Sequence, residues 1–227
     1  MSRTTLEKNP FFKEKMKELG FKKDKHDRFY RLAEDAQQTI GFGHAHHGEK
    51  GATYYTCTVS WNYQSLIELA RKLGIILSPI GKHLGYLMPE ETYLEWRIAE
   101  EDSEEDVLKT MNIIVEAIEK YALPLMDEYH DLKRLVEDEN DGVLPKSLYI
   151  DQQLIPLAYY FLGDISKAND YIHNTLAQLK RESGVDDNRH VVCDNYEEIR
   201  FAHLDRAYHN YKKFAEKFKS TLGQLHI

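Results

Sequence analysis

The chain has 227 residues, of which 42% are hydrophobic and 30% are charged, and its formal net charge is -8. These proportions are typical of a globular protein and argue against wholesale disorder. The basic groups are short and interrupted by acids, as in Lys22–Lys25, whereas a nucleic acid or an anionic membrane surface requires clustered Lys and Arg. We therefore expect neither a nucleic acid nor a membrane as a partner.

The two cysteines, Cys57 and Cys193, lie far apart and form no paired motif. A secreted chain of this size usually carries more cysteines, in pairs. The first residues contain no apolar segment of a signal peptide, and no apolar run approaches the roughly 20 residues that span a bilayer. These features predict a cytoplasmic protein.

The first predicted element is a helix over residues 5–19. Phe12, Met16 and Leu19 have helical spacing, with Phe11 as the alternative to Phe12. Pro10 is tolerated in the first turn of a helix that begins near residue 9. Gly20 suits the position after the helix, where the backbone turns left-handed.

Strands are predicted next. They cover residues 28–32, 37–47 and 52–61. The glycine-containing loop 48–51 fixes the register of the last two strands. The resulting cross-strand pairs are Ile40 with Val59, Phe42 with Cys57, and His44 with Tyr55. All three pairs lie on one face of the sheet, because side chains alternate along a strand.

A helix over 64–73, ended by Gly74, precedes a further predicted strand pair over 85–88 and 92–99. The second strand of this pair alternates apolar residues, such as Trp96 and Ile98, with polar residues.

A long helix is predicted after Ser103. Ser103 and the acids up to Asp106 resemble a capping box, and apolar residues then recur every three or four positions as far as Leu132. Pro124 lies inside this pattern, so a kink or break is expected near residues 121–122. The acidic stretch 137–142 is predicted to be a linker.

The C-terminal third is predicted to be helical. Its helices cover residues 152–162, 165–181 and 196–222, and residues 184–194 are predicted to be a loop or a short extended segment. The fold class is therefore α+β, an antiparallel β-meander with helices on one face over residues 1–140, followed by an all-α region over residues 141–227. The two regions form separate domains or share one core.

Two short motifs stand in the N-terminal half, LGFKK at Leu19–Lys23 and RFYR at Arg28–Arg31. They are followed by a strand, a tyrosine-rich strand and a helix. In this arrangement the N-terminal half resembles an uncharacterised bacterial family, a domain of unknown function. The resemblance implies an α+β fold with a meander and no catalytic residues. The first motif also has a structural explanation, in which Gly20 ends a helix and Phe21 is buried.

A segment of the C-terminal third is similar to a single tetratricopeptide repeat. Tyr159, Gly163, Ala168 and Leu176 stand near the positions where such a repeat has an aromatic, a turn glycine, a small and an apolar residue. Pro156 departs from the pattern, and no second copy follows at a period of about 34 residues. The resemblance implies a helical hairpin, and an ordinary αα-hairpin explains the same residues.

Three histidines follow one another closely in the stretch 43–48. His44 and His46 share a strand face, an arrangement that can place two imidazoles on zinc or another divalent metal ion. Such a site needs three or four ligands, and no third ligand is evident. In the alternative interpretation the histidines lie near a hairpin end and pair with acids.

Motifs for nucleophilic catalysis and for nucleotide binding are absent. We therefore expect a non-catalytic protein-binding or regulatory protein, which could neutralise a basic toxin, because the chain is acidic and rich in tyrosine. The alternative is a metal-dependent hydrolase that uses His44 and His46.

A third hypothesis is a homodimer formed through the last helix. That helix carries aromatic residues on one face, and Tyr208, Tyr211 and Phe214 are the candidate binding surface there.

Overall fold

The computed structural model describes residues 5–145, 148–183 and 196–222, and in the last range it describes side chains from His203 onward. The chain is divided between two compact units. The first unit is Met1–Gln64 with Pro79–Ile150, and the second is Ser65–Ser78 with Asp151–Ile227. The boundary predicted at residue 140 falls at the end of a helix, inside the range of the first unit.

In the first unit one helix precedes the strands and three helices follow them, and the described elements of the second unit are helices. The strands are β1 (Lys22–Lys23), β2 (Phe29–Ala33), β3 (Ala36–Ala45), β4 (Ala52–Tyr63), β5 (Ile80–His83) and β6 (Trp96–Ala99). The helices are α1 (Pro10–Glu18), α2 (Gln64–Lys72), α3 (Glu104–Ala117), α4 (Leu123–Glu128), α5 (Leu132–Asn140), α6 (Leu154–Phe161), α7 (Ile165–Ser183) and α8 (Tyr196–Leu222).

The sheet of the first unit is antiparallel throughout its named pairs. Strands β1 to β5 lie side by side in that order, and β6 also pairs with β4. Residues 52–55 of β4 pair with β6 and residues 58–61 pair with β5, so the two short strands share one edge of β4. The predicted fold class is confirmed, and so is the predicted register, with Ile40 opposite Val59 and His44 opposite Tyr55.

Helices cover one face of this sheet. Along β4 every second residue is buried, from Tyr55 to Tyr63, and the residues between them are more exposed. The buried face meets α1 in an aromatic cluster, where the Phe12 ring packs edge-on against Phe29 at 5.7 Å and against Phe42 at 5.4 Å. The opposite face carries hydroxyl side chains such as Thr58.

Helix α1 is shorter than predicted. It begins at Pro10, and the Asn9 side chain caps it by accepting the N–H of Phe11 at 2.9 Å. Residues 6–8 form a separate 3₁₀ turn before the cap. The helix ends as predicted, because Gly20 adopts a φ of +83°, which a residue without a Cβ adopts at little cost.

The prediction of a strand over residues 85–88 is wrong. Leu84–Leu87 forms a 3₁₀ turn, and the strand lies just before it, at β5. A Cβ on Gly85 would lie 2.4 Å from the Thr92 carbonyl oxygen, so the chain folds back too closely here for an ordinary hairpin strand. Strand β6 is correspondingly only the second half of the predicted segment 92–99.

The long predicted helix is broken where Pro124 indicates. The capping box at Ser103 and Asp106 is confirmed, and a π-helical turn at Ile118–Ala122 separates α3 from α4. Proline has no N–H to donate to the preceding turn, so the regular ladder cannot pass through it. The prediction fails beyond residue 128, where α4 ends and Asp131 caps the new helix α5.

The linker predicted over 137–142 is also wrong, because α5 continues to Asn140. One of the acids in this stretch, Asp138, is buried. Asp138 is 3% exposed, and its carboxylate accepts the Tyr129 hydroxyl at 3.0 Å and pairs with Arg134 at 3.1 Å. Tyr129 in turn accepts the Tyr63 hydroxyl on its carbonyl at 2.6 Å, so this network joins β4 to α5.

A second buried polar contact joins the sheet to α4. Gln38 is fully buried, donates to the Met126 carbonyl at 2.6 Å and accepts from Arg31 Nε at 2.5 Å. Arg31 also lies over the ring of Phe21 and pairs with Asp127. Satisfying both ends of the amide is what allows a glutamine in this core.

The second unit is helical in the part that the structure describes. Helices α6 and α7 form a hairpin that turns at Gly163, with a φ of +85°. Phe218 of α8 packs edge-on against Tyr160 at 5.6 Å, and Lys217 donates to the Gly74 carbonyl at 3.2 Å. The predicted loop 184–194 lies outside the described residues. No helix in the described ranges is both long and apolar enough to cross a membrane.

We expect Asp138→Ala to lower the free energy of unfolding by about 1–3 kcal/mol, because the buried Tyr129 hydroxyl and Arg134 lose their common partner. Urea denaturation measures this change. The matched control is Glu137→Ala, an exposed acid one residue away, which we expect to change stability by less than about 0.5 kcal/mol. Equal losses in the two variants would contradict the role of the network.

The same network makes the free energy of unfolding depend on pH in the alkaline range. Burial, together with the hydrogen bond to Asp138, raises the pKa of Tyr129 to about 12 from an ordinary value of 10.0. Below pH 10 both the folded and the unfolded chain keep this proton, so the stabilisation is complete. Between pH 10 and about 12 the unfolded chain loses the proton first, and stability falls.

We expect Tyr129→Phe to show a smaller loss of unfolding free energy over this pH range than the wild type. Urea denaturation at the two ends of the range measures it. An unchanged pH dependence would show that Tyr129 does not contribute.

Candidate functional site

A pocket of about 520 Å³ opens on the helix-covered face of the sheet in the first unit. His44 and His46, the two histidines predicted to share a strand face, both line it. The residues around it are Thr5, Leu6, Asn9, His44, His46, Thr53, Tyr55, Ile98, Asp102, Glu104, Val107 and Met111.

Three parts of the chain build this pocket. Strands β3, β4 and β6 supply its base, because His44 pairs with Tyr55 and Thr53 pairs with Ile98. The first turns of α3 supply one wall, where Glu104, Val107 and Met111 share a helix face by their spacing of three and four residues. The turn before α1 supplies the rest.

His44 is held by a buried carboxylate. Its Nε2 donates to Glu7 Oε1 at 2.5 Å, and its ring packs edge-on against Tyr55 with centroids 5.0 Å apart. Glu7 is only 2% exposed, and its other oxygen, Oε2, has no hydrogen-bond partner among the described residues. Burying a carboxylate with one partner is costly, so His44 is the group that makes Glu7 tolerable at this position.

No sequence pattern marks Glu7 as part of the site. It stands in a short polar segment before Pro10, 37 positions from His44. Only the packing of the first turn against the end of β3 brings the two side chains together.

The other two histidines have different partners. His46 Nδ1 lies 3.5 Å from the Ala52 carbonyl oxygen and 3.4 Å from Thr53 Oγ1, both weak contacts. His47 stacks on the Tyr54 ring at 4.6 Å, and its Nε2 lies 3.2 Å from Glu95 Oε2. The three histidines thus point to separate neighbours.

The pocket does not form a metal centre from the residues placed around it. Within residues 5–145, 148–183 and 196–222, no group of three His, Cys, Asp or Glu side chains has an arrangement that could hold a metal ion. One nitrogen of His44 is already hydrogen bonded to Glu7. Zinc or another divalent metal at His44 and His46 remains a prediction from the sequence.

Arg97 of β6 is surrounded by carboxylates beside the pocket. It binds Glu49 through two hydrogen bonds of 2.6 and 2.7 Å, contacts Glu101, and donates to Asp102 at 3.1 Å. Asp102 also accepts the Ala99 N–H at 2.6 Å. The hydrogen bonds from Arg97 lower the pKa of Glu49, and the same bonds raise the pKa of Arg97.

Arg97 is the single basic residue in Glu90–Asp106, which we name the acidic segment and which contains nine Asp and Glu residues. The whole chain has 38 acidic and 30 basic residues, so removing this segment leaves equal numbers of each. The entire net charge of -8 is therefore located in this segment. Seven of its nine acids are exposed. The excess of acidic residues in this segment is visible in the sequence, but it matches no catalytic motif.

From His203 onward, the aromatic residues of α8 do not form an exposed face. Tyr208, Tyr211 and Phe214, the binding surface suggested by the sequence, are all at most 6% exposed. The Tyr211 ring lies 5.3 Å from that of Phe214. Burial raises the pKa of the Tyr211 hydroxyl.

Comparison of the chain with protein-family models, with curated proteins and with solved structures finds no match. The resemblances to a domain of unknown function and to a tetratricopeptide-like hairpin therefore stay predictions. The chemistry of the first unit must be judged from its own geometry.

We expect a double-mutant cycle of Glu7→Gln and His44→Gln to give a coupling energy of about 1–3 kcal/mol, because one partner is buried and charged. Urea denaturation of the four proteins measures it. The matched control is the cycle of His47 and Glu95, a more exposed pair, for which we expect less than about 1 kcal/mol. Equal couplings in the two cycles would show that burial of Glu7 adds nothing.

Proposed function

We propose that this protein is a non-catalytic protein-binding protein whose partner presents a basic surface. One observation carries the proposal, namely that the whole net charge of the chain is located in the largely exposed acidic segment. A segment of one sign produces a local potential that attracts an oppositely charged partner from a distance and orients it on approach.

The charges of this segment are largely free to act on a partner. Arg97 is shared by three carboxylates, so it offsets only part of their charge. The exposed acids Glu90, Glu91, Glu100 and Glu105 form no ion pair in the described part of the chain. Intramolecular pairing thus leaves most of the negative potential uncompensated.

The segment also carries an aromatic group suited to an interface. Tyr93 is 54% exposed, and its hydroxyl donates to Glu95 at 3.2 Å. Tyrosine provides a large contact area with a polar tip and is enriched among the residues that dominate binding energy. An acidic surface with an exposed tyrosine therefore provides both the long-range electrostatic attraction and the short-range contact area that a protein interface needs.

The acidic segment does not favour a second copy of the chain as its partner, because two copies would place like charges against each other. A homodimer would need another surface, and it stays a separate prediction. A cytoplasmic location is part of the proposal and is supported by the burial of Cys57 as a free thiol.

The test compares capture of a partner by the immobilised full chain and by a variant with Glu90, Glu91, Glu100 and Glu105 changed to Gln. The matched control changes Glu14, Glu18, Glu116 and Glu119 to Gln, which removes as many charges outside the segment. We expect the wild type and the control to retain the same basic protein from a native lysate, and the variant to retain about tenfold less at low salt.

Rising salt should release the partner from the wild type, because screening weakens attraction between exposed charges. Equal retention by all three proteins, or retention of no basic protein, would overturn the proposal. If no protein is retained and the purified, untagged chain carries about one tightly bound metal ion, the metal-dependent hydrolase becomes the better hypothesis.

A further inference from the structure

The pocket beside the acidic segment is lined by both apolar and acidic residues. Its apolar residues are Leu6, Ile98, Val107 and Met111. Carboxylates line it at the start of α3, where Asp102 and Glu104 stand. A ligand that fits this lining has an aliphatic part and a polar end, because each part then meets matching residues.

The polar end of such a ligand must be positive. Glu104 is exposed and forms no hydrogen bond or ion pair within the described ranges, so its carboxylate is available. Asp102 is shared with Arg97, but Arg97 also neutralises Glu49 and Glu101 in part, so the group as a whole stays negative. A cation at this wall gains a charge-assisted hydrogen bond from Glu104 and a longer-range attraction from the net negative group around Arg97.

His44 does not reverse the negative sign of this wall. His44 is bonded to the buried Glu7, so a proton on its ring would be balanced by the carboxylate behind it. The N-terminus of α3 contributes a partial positive charge of roughly half a unit, which the acids of its first turn more than offset. The pocket is thus suited to a cation at the start of α3, where its carboxylates lie.

We infer that the pocket receives a lysine or arginine side chain of the basic partner. Both side chains combine an aliphatic stem with a cationic head, and the pocket offers apolar residues to the stem and a carboxylate to the head. At about 520 Å³ the pocket also has room for the adjoining backbone of the bound segment. The inference rests on the proposed function and adds to it the residue type that anchors the partner.

The test titrates N-acetyl-arginine methylamide and N-acetyl-lysine methylamide into the full chain, followed by nitrogen–proton correlation NMR. N-acetyl-citrulline methylamide, which has the shape of the arginine probe without its charge, is the matched ligand. We expect saturable shifts of amides in the pocket, such as those of Thr53, Ile98 and Val107, with both cationic probes and not with citrulline.

Two single variants test the wall that carries the charge. Glu104→Gln should weaken the arginine probe about tenfold, the factor expected from losing a charge-assisted hydrogen bond. Glu116→Gln removes an exposed acid of the same helix that neither lines the pocket nor belongs to the acidic segment, and it should leave binding unchanged. Both positions are exposed, so neither change endangers folding.

Equal shifts with arginine and citrulline, no saturable shift in the pocket, or equal binding by the wild type and Glu104→Gln would each overturn the inference. These outcomes are independent of partner capture. A basic partner that is lost from the acidic-segment variant, together with no probe binding in the pocket, would leave the proposed function standing and remove only the anchoring role of the pocket.

Discussion

The pairing of β3 with β4 is the interaction on which the rest of the first unit depends. Ten consecutive residues of β3 are matched to β4, from Ala36 opposite Tyr63 to Ala45 opposite Tyr54. Because side chains alternate, this register sends one set of residues into the core and the other set to the opposite face. A slip by one residue would bury Thr58 and expose Trp61. The same register carries His44 to the pocket and leaves the outer edge of β4 for β5 and β6.

The acids of the acidic segment lie at the surface because the core formed by the sheet cannot bury their charges. Strand β6 ends at Ala99, and the acids after it begin α3, where the positive end of a helix stabilises them. One arginine at the strand holds three carboxylates together and fixes the turn between β6 and α3. Of the remaining acids in the segment, all but Glu95 are exposed to solvent, where their repulsion is weakest. The structure thus concentrates the net charge next to a concave surface, and this combination supports binding of a basic protein segment.

Much of the fold could be predicted from the sequence because local signals agreed. Alternation in β3 and β4, the glycine-containing loop between them, the capping box at Ser103 and the break before Pro124 all depend on neighbours close in the chain. The failures arose where individual contacts seven and nine positions apart decided the local structure, because no periodic pattern announces them. The segment 85–88 became a 3₁₀ turn because its backbone packs against Thr92, and the stretch 137–142 continued a helix because Asp138 found Tyr129 inside the core.

The sequence by itself determined the strand face shared by His44 and His46, the segment that holds the net charge, and the aromatic stripe of α8. Only the tertiary structure decided what these features contact. Glu7 reaches His44 across 37 residues, and Tyr211 and Phe214 are buried. The physical reason is that periodicity reports which side chains share a face, whereas burial and pairing depend on which other surface that face meets. The pocket exists only where the turn before α1, the three strands β3, β4 and β6, and the start of α3 converge.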